Sequence, residues 1–588
     1  MGAERTIPRL WREAAARNSG TAYLVEEADG WREVSWDEAA ERVDLLANGL
    51  LARGVQKGEA FGLLARNTLE WALLDFALAH VGAVGAAIYA NSSPRDTQYV
   101  LEHSEAVGVV CEDDAQRQKV ETGGATLPSL RHVLTFADLP ALEDEGRAYR
   151  EAHPEALDEA VAAIDEEDLF TFIYTSGTTG PPKGCMIRHR NYYAMVTSGD
   201  DLPQRPHPGD VMLLYLPLAH NFGRLMHLAG PYQGYTIAFL ADPLEVARAI
   251  PEVRPSILPS VPRVYEKVHT AVTASFAEAT GVKRRLIDWA LDVGRRESAL
   301  RREHRPVPRA LALQRLLADR LVFSKVKERL GGGLRLPISG GAPLAPEIAE
   351  LFDALGVSII EGYGLTECTT AATTNRSDNY RFGTVGQALP GFELRLADDG
   401  ELLIRSETVF AGYFKEPEAT AEVLDGDGWL RTGDIATIDD DGFVTITDRK
   451  KDIIVTAGGK NIAPQNLEND LKTSRFVSQA LVVGDRRPYP AALITLDPVE
   501  IGKWASEQGL DGDLSSLSRD PRVVELMSSV VEDVNRDRSR YEQLKRFAIL
   551  ERDFEMERGE VTPTLKLRRG VVLDHFAEAV EGLYDGSR

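Results

Sequence analysis

Cysteine is scarce in this chain: three in 588 residues, Cys111, Cys185 and Cys368. They stand far apart with no metal-ligand spacing, which fits a reduced, cytoplasmic setting. Positive charge is also in short supply. The formal net charge is −24, which argues against nucleic acid as the main partner. No apolar run follows Met1-Gly-Ala-Glu-Arg5, so no signal peptide is expected. The longest apolar stretch, Phe76 to Ala90, contains His80 and two glycines and is too short to span a bilayer.

What is present reads as a soluble protein of at least two domains. Hydrophobic residues make up 43% and charged residues 27%, ordinary values for a globular chain, and 588 residues exceed what one core organises. Ser35-Trp-Asp-Glu38 has the pattern of a capping box. Ala39, Val43, Leu46 and Leu50 then recur at helical spacing, and Gly54 ends the helix. A strand is expected at Phe61–Leu64, a helix at Leu69–Val81 and a strand at Val84–Tyr89. Strands alternating with helices predict parallel α/β sheets. Residues 112–168 are acidic and weakly patterned, and no element is predicted there.

The densest chemical cluster is Tyr174-Thr-Ser-Gly-Thr-Thr-Gly-Pro-Pro-Lys-Gly184. It follows an expected buried strand, Leu169–Tyr174. Gly177 and Gly180 let backbone N–H groups approach an anion closely. Thr175, Ser176, Thr178 and Thr179 add hydroxyls, and Lys183 adds a mobile cation. The spacing is not that of a Walker A loop. A polyphosphate loop is the natural reading, a flexible Gly/Thr hairpin the plainer one. Two further glycine turns follow expected strands: Leu336-Pro-Ile-Ser-Gly340-Gly341-Ala342-Pro343 and Ser358-Ile-Ile-Glu361-Gly362-Tyr363-Gly364-Leu-Thr366-Glu367. Turns of this kind at strand ends build one crevice, where α/β sheets bind ligands.

The motif Tyr174–Gly184 resembles the phosphate loop of the adenylate-forming superfamily: acyl-CoA synthetases, luciferases and the adenylation domains of peptide synthetases. The resemblance extends over roughly residues 5 to 580. Val261-Pro-Arg-Val-Tyr-Glu-Lys267 resembles a segment common among long-chain acyl-CoA synthetases, and Asp448-Arg-Lys-Lys-Asp-Ile-Ile-Val-Thr-Ala-Gly-Gly-Lys-Asn-Ile462 and Thr562-Pro-Thr-Leu-Lys566 look most like bacterial long-chain fatty-acid–CoA ligases. The fold this implies is α/β: a large N-terminal domain of parallel-rich sheets flanked by helices, residues 1–448, and a small mobile α+β C-terminal domain, residues 449–588. The domain boundary is expected at the charged run 448–452, where few buried contacts should cross.

The resemblance also implies roles. Gly340, Gly341, Ala342 and Pro343 would border adenine by backbone, with Glu361, Gly362 and Gly364 beside them. Tyr363 would stack on the base, Thr366 contact phosphate, and Glu367 support Mg²⁺. Asp434, in Gly428-Trp-Leu-Arg-Thr-Gly-Asp434, would hold the ribose hydroxyls. Arg449 would reach nucleotide and Lys451 would be the pivot, where many relatives carry an aspartate. Gly458 and Gly459 would line a thiol channel. His220 would lie near the acyl and phosphate region, and Lys566 would be the catalytic lysine. The co-substrates would be ATP, CoA and a long-chain fatty acid. Taken singly, each of these residues has a bland reading as a packing tyrosine, a solvated carboxylate or a surface lysine. Two other functions stay open: a fatty acyl-AMP ligase serving a carrier protein, and a non-catalytic acyl-nucleotide sensor.

Residues 283–329 form a basic island, with fourteen Lys or Arg against six Asp or Glu. Leu286, Trp289, Ala290 and Val293 give it an apolar stripe. Contact with an anionic membrane surface suits this composition. Packing on the body by the stripe is the plainer expectation.

Overall fold

The computed structural model describes residues 5–122, 126–175, 181–457, 460–536, 538–562 and 566–585. Among them two large sheets share one extended core. The first sheet orders its strands His132–Thr135, Gly108–Cys111, Ala60–Ala65, Val84–Tyr89, Leu169–Thr175 and Lys183–Arg188. All pair in parallel except the last, which folds back antiparallel on Leu169–Thr175. The second sheet centres on four parallel strands, Thr236–Phe239, Val211–Leu214, Ile257–Ser260 and Leu336–Ser339, and continues in parallel to Ile360–Tyr363. An antiparallel four-stranded sheet follows, ending with Leu430–Ile438 and Val444–Arg449.

The early predictions are mostly realised. Helices run over Trp36–Ala52 and Leu69–His80. The capping box forms only halfway. Ser35 Oγ accepts from the Glu38 N–H at 3.1 Å, but the Glu38 carboxylate turns to Arg32 at 3.3 Å. Residues 112–168 are more ordered than their pattern suggested, with helices at Asp114–Thr122, Leu139–Ala152 and Ala156–Ala162. Few large apolar residues are needed there because contact is by backbone. A Cβ on Gly146 would sit 1.9 Å from the Leu45 carbonyl oxygen, so helix Leu139–Ala152 lies directly on Trp36–Ala52.

The helix Asn221–Gln233 is pinned between the sheets by a fully buried cation. Arg224 pairs with both carboxylate oxygens of Asp75 and donates to Thr171 Oγ1 at 2.6 Å. Its guanidinium lies over Trp71 and Phe170. Removing one partner of such a pair costs about 3–5 kcal/mol, because the other charge is left buried and alone.

Past Arg449 the chain turns at residues 450–452 and builds a second core, with strands Val477–Val483 and Ala491–Leu496 antiparallel and Arg546–Ile549 parallel to the latter. The charged run at the junction is not simply solvated. Asp448 is buried and accepts from the backbone N–H groups of Arg449 at 2.7 Å and Gln465 at 3.4 Å. Burial pushes its pKa up to about 6. No helix among the described residues is long and apolar enough to cross a membrane.

Candidate active site

The parallel strands Val211–Leu214, Ile257–Ser260, Leu336–Ser339 and Ile360–Tyr363 present their carboxyl ends at one edge. The chain leaves that edge through His220, through Gly340–Pro343 and through Gly362–Gly364. These turns line a single cavity of about 2040 Å³. Thr175, Lys183, Thr366, Glu367, Asp434, Arg449, Lys451 and Lys566 line it too. Residues as far apart in sequence as Thr175 and Lys566 are thus gathered by strand topology, not by local spacing alone.

One end of the cavity is suited to a nucleoside. The Tyr363 hydroxyl donates to Asp434 Oδ2 at 2.6 Å. Arg449 Nε reaches Asp434 Oδ1 at 3.2 Å. Asp434 and Arg449 face each other as register partners in their antiparallel pair. Asp434 is 4% exposed, and burial raises its pKa against the pull of Arg449 and Tyr363. A phenol ring beside a carboxylate, whose oxygens each accept more than one hydrogen bond, suits a purine and a sugar diol.

The other end is suited to phosphate. Lys183 begins the strand Lys183–Arg188, and its ammonium sits 5.1 Å from the Tyr413 ring centroid and 3.8 Å from Glu416. The Tyr413 hydroxyl donates to Glu367 Oε1 at 2.7 Å. Glu367 lies in the short turn Thr366–Cys368. Two β-branched residues follow at positive φ, Thr369 at 54° and Thr370 at 99°, a strained geometry for such side chains. Their hydroxyls hold it, donating to Thr408 O at 2.6 Å and Asn221 O at 3.1 Å.

Lys566 comes from the C-terminal part and lies against the Gly341 turn. A Cβ on Gly341 would meet its Nζ at 4.0 Å, and Gly341 has φ +83°. Solvent reaches Lys566 through the open cleft, yet protein surrounds it on most sides. That crowding, with Arg449 beside it, pulls its pKa down to about 8. His220 caps the helix Asn221–Gln233, its Nδ1 accepting from the Phe222 N–H at 3.2 Å. The hydrogen of the neutral ring is therefore on Nε2. Burial and nearby Lys566 push its pKa down to about 3, so the ring is neutral near pH 7.

An apolar limb leaves this centre between the helices His189–Thr197 and Asn221–Gln233. Met195, Val196, Phe222, Leu225, Met226 and Ala229 line it.

Two family models match the chain. The model for the AMP-binding enzyme matches residues 11–414, and the AMP-binding enzyme C-terminal domain matches residues 451–588. The chain belongs to the AMP-binding enzyme family. Long-chain-fatty-acid–CoA ligase FadD15 of Mycobacterium bovis is 38% identical over 570 residues, covering 94% of this chain and 93% of that protein. Long chain acyl-CoA synthetase 7, peroxisomal, of Arabidopsis thaliana is 33% identical over 592 residues, covering 94% and 82%. The fold matches the adenylation domain of the carboxylate reductase from Mycobacterium chelonae with TM-score 0.77, at 23% identity over 98% of this chain and 91% of that one. It also matches the anthranilate CoA ligase AuaEII in complex with anthranoyl-AMP with TM-score 0.74, at 21% identity over 98% and 99%. The adenylate-forming fold expected from the sequence, a large α/β part with a smaller C-terminal one, is thereby established.

In this AMP-binding enzyme most candidate residues read from sequence converge on the cavity. Glu361 does not. Ile360, Gly362 and Tyr363 of its strand line the cavity, but the Glu361 side chain is buried and does not. Buried there, its carboxyl has a pKa pushed up to about 8, opposed only by a hydrogen bond from the Leu344 backbone. Near pH 7 the side chain is thus mostly a neutral, buried acid. Ser176, Gly177, Thr178, Thr179, Gly180, Gly458 and Gly459 lie outside the described residues.

Sequence reading missed Tyr413, which joins Lys183 to Glu367, and the Thr369–Thr370 pair. Gly412-Tyr413 was the available signal, a glycine and an aromatic closing a loop after the strand Glu401–Arg405. It also missed the use of Val261–Lys267. Arg263 Nη2 donates to Ser478 Oγ at 2.8 Å, and Glu266 meets Lys472 at 3.3 Å. At this helix start, as at Asn91 with Met556, the C-terminal part rests on the rest of the enzyme.

For a metal, the described residues offer no cluster of three or more His, Cys, Asp or Glu side chains. Glu367 is a single hard carboxylate at the phosphate end. It fits Mg²⁺ held mainly by phosphate oxygens and water.

Proposed function

We propose that this chain is an AMP-forming long-chain fatty acid–CoA ligase. It joins a fatty acid to ATP as acyl-AMP, releasing pyrophosphate, and then passes the acyl group to CoA. The observation that carries this reading is Lys566. A lysine from the C-terminal part sits in the same cavity as Asp434, Glu367 and Lys183, at the root of an apolar limb. The long-chain names borne by relatives of nearly full-length coverage support the acid's class.

In the first step the acid's carboxylate attacks the α-phosphate, and negative charge crowds there. Catalysis of such a step is positioning and charge stabilisation. Lys566 supplies an ammonium at that point. Lys183 and the loop from Thr175 cradle the outgoing pyrophosphate. Tyr363 and Asp434 hold base and ribose, with Arg449 beside them. The Thr366 hydroxyl and the Nε2–H of neutral His220 are donors for phosphate and carboxylate oxygens. Glu367, oriented by Tyr413, would hold Mg²⁺, which neutralises phosphate charge when bound. No covalent enzyme intermediate is required, and the three cysteines are buried thiols.

In the second step the C-terminal part beyond Lys451 rotates as a unit against the rest, pivoting at Lys451. Lys566 withdraws and the segment at Gly458-Gly459 lines the approach of the CoA thiol. The setting we propose is cytoplasmic.

The test is incubation with ATP, Mg²⁺, CoA and palmitate. Palmitoyl-CoA, AMP and pyrophosphate should form in equal amounts. Acyl-AMP without thioester would select the carrier-protein ligase instead. Absence of acid-dependent ATP–pyrophosphate exchange would leave only a binding role.

A further inference from the structure

The basic island is a helical hairpin. Helix Gly281–Arg302 packs against the helical run 309–329 through Ile287, Ala290 and Val293 on one side and Leu311, Ala318, Val322 and Phe323 on the other. Of the expected stripe, Ala290 and Val293 are buried and Leu286 and Trp289 partly so, in a cluster that reaches Leu351 and Leu355 of the body. That packing leaves an apolar row on the far face of the second helix. Leu313, Leu316, Leu317 and Leu321 are 61%, 68%, 47% and 47% exposed. Spacings of three and four residues put Leu316 and Leu317 on the face of Leu313, and Leu321 follows, exposed, in the π-helical turn Asp319–Phe323. Arg309, four residues before Leu313, falls on the same face, and Arg320 stands next to Leu321 in the π-helical turn, both exposed. Among the described residues neither has a carboxylate partner, whereas Arg284, Arg296 and Lys327 of the hairpin do.

We infer that this face is a peripheral docking surface for an anionic phospholipid bilayer. Four adjacent exposed leucines are unusual on a soluble surface. Guanidinium groups at both ends of the row complement lipid phosphates, while the leucines enter the interface. The positive sign is local, in a chain of net charge −24. A second copy of the chain is a poorer occupant. Two such faces would bring four arginines together without an acidic row to receive them. The row is also narrower than a stable dimer interface requires.

The experiment is co-sedimentation with phosphatidylcholine vesicles, with and without phosphatidylglycerol, at low and high salt. The variants are Leu316→Ser/Leu317→Ser and Arg309→Gln/Arg320→Gln. All four positions are exposed, so thermal unfolding and ligase activity on a soluble medium-chain acid should match wild type. Wild type should bind phosphatidylglycerol vesicles and release at high salt. Removing both arginines should weaken binding by about thirtyfold. Removing both leucines should weaken it by at least about tenfold. The proposal is overturned if both variants bind like wild type. It is equally overturned if wild type fails to bind and light scattering shows self-association lost in the leucine variant.

Discussion

Tyr363 and Asp434 are fastened to each other, hydroxyl to carboxylate at 2.6 Å, across two different sheets. One ends a strand of the central parallel sheet and the other lies in the strand Leu430–Ile438. Groups suited to base and ribose are therefore fixed relative to one another before any nucleotide arrives.

Tyr363→Phe tests this preorganisation. It leaves a nearly buried carboxylate short of one donor, at a cost of about 1–3 kcal/mol. KM for ATP should rise roughly 5- to 150-fold, with KM for the fatty acid little changed. Steady-state kinetics with each substrate varied in turn will show it. Equal shifts for both substrates would place the pair outside the nucleotide site.

The resting contact of the C-terminal part is polar. Lys472 with Glu266 and Arg263 with Ser478 hold it in the orientation that inserts Lys566. Lys472→Ala should slow acyl-AMP formation about two- to fivefold, the scale of one partly exposed ion pair. Thioester formation from presynthesised acyl-AMP should not slow. A loss confined to the second step would reverse the assignment of this orientation.

Lys566 also predicts a pH signature. Its pKa, about 8 in the free enzyme, lies below the ordinary lysine value near 10.5. Phosphate charge favours the ammonium, so ATP binding must raise this pKa and take up protons. At pH 8.5 most of a proton should be absorbed, and below pH 7 almost none through this group. ATP affinity should fall as pH rises past 8. Titration calorimetry in buffers of different ionisation enthalpy measures the uptake, and Lys566→Arg, charged throughout, should abolish it. The sign for stability is opposite to that of a salt bridge. The unfolded lysine holds its proton more tightly, so Lys566 costs stability below pH 8 and that cost fades toward pH 10.5.

The sequence was most legible where pattern and chemistry coincide. Alternating strands and helices, with glycine turns at Gly340–Gly341 and Gly362–Gly364, foretold both the parallel sheet and its carboxyl-edge crevice. Residues whose meaning is set by distant partners were not legible. Arg224 looks like a surface cation until Asp75 and Thr171 close around it. Glu361 shares the strand Ile360–Tyr363 with Tyr363, and only the packing around it buries its carboxyl away from the cavity that Tyr363 lines. Tyr413 stands 46 residues from the carboxylate it orients. The acidic stretch 112–168 hid its helices because Gly49 and Gly146 pack by absence of side chain, which leaves no hydrophobic period to read.

Everything proposed for this cavity rests on Lys566 serving adenylation alone. The direct measurement is Lys566→Ala assayed in two half-reactions with one protein preparation. Formation of acyl-AMP from palmitate and ATP should drop by about 10²–10³-fold, the usual loss for one preorganised donor to developing charge. Palmitoyl-CoA formation from presynthesised palmitoyl-AMP and CoA should proceed at near wild-type rate. Equal slowing of both half-reactions would contradict a lysine that acts at the α-phosphate and then withdraws.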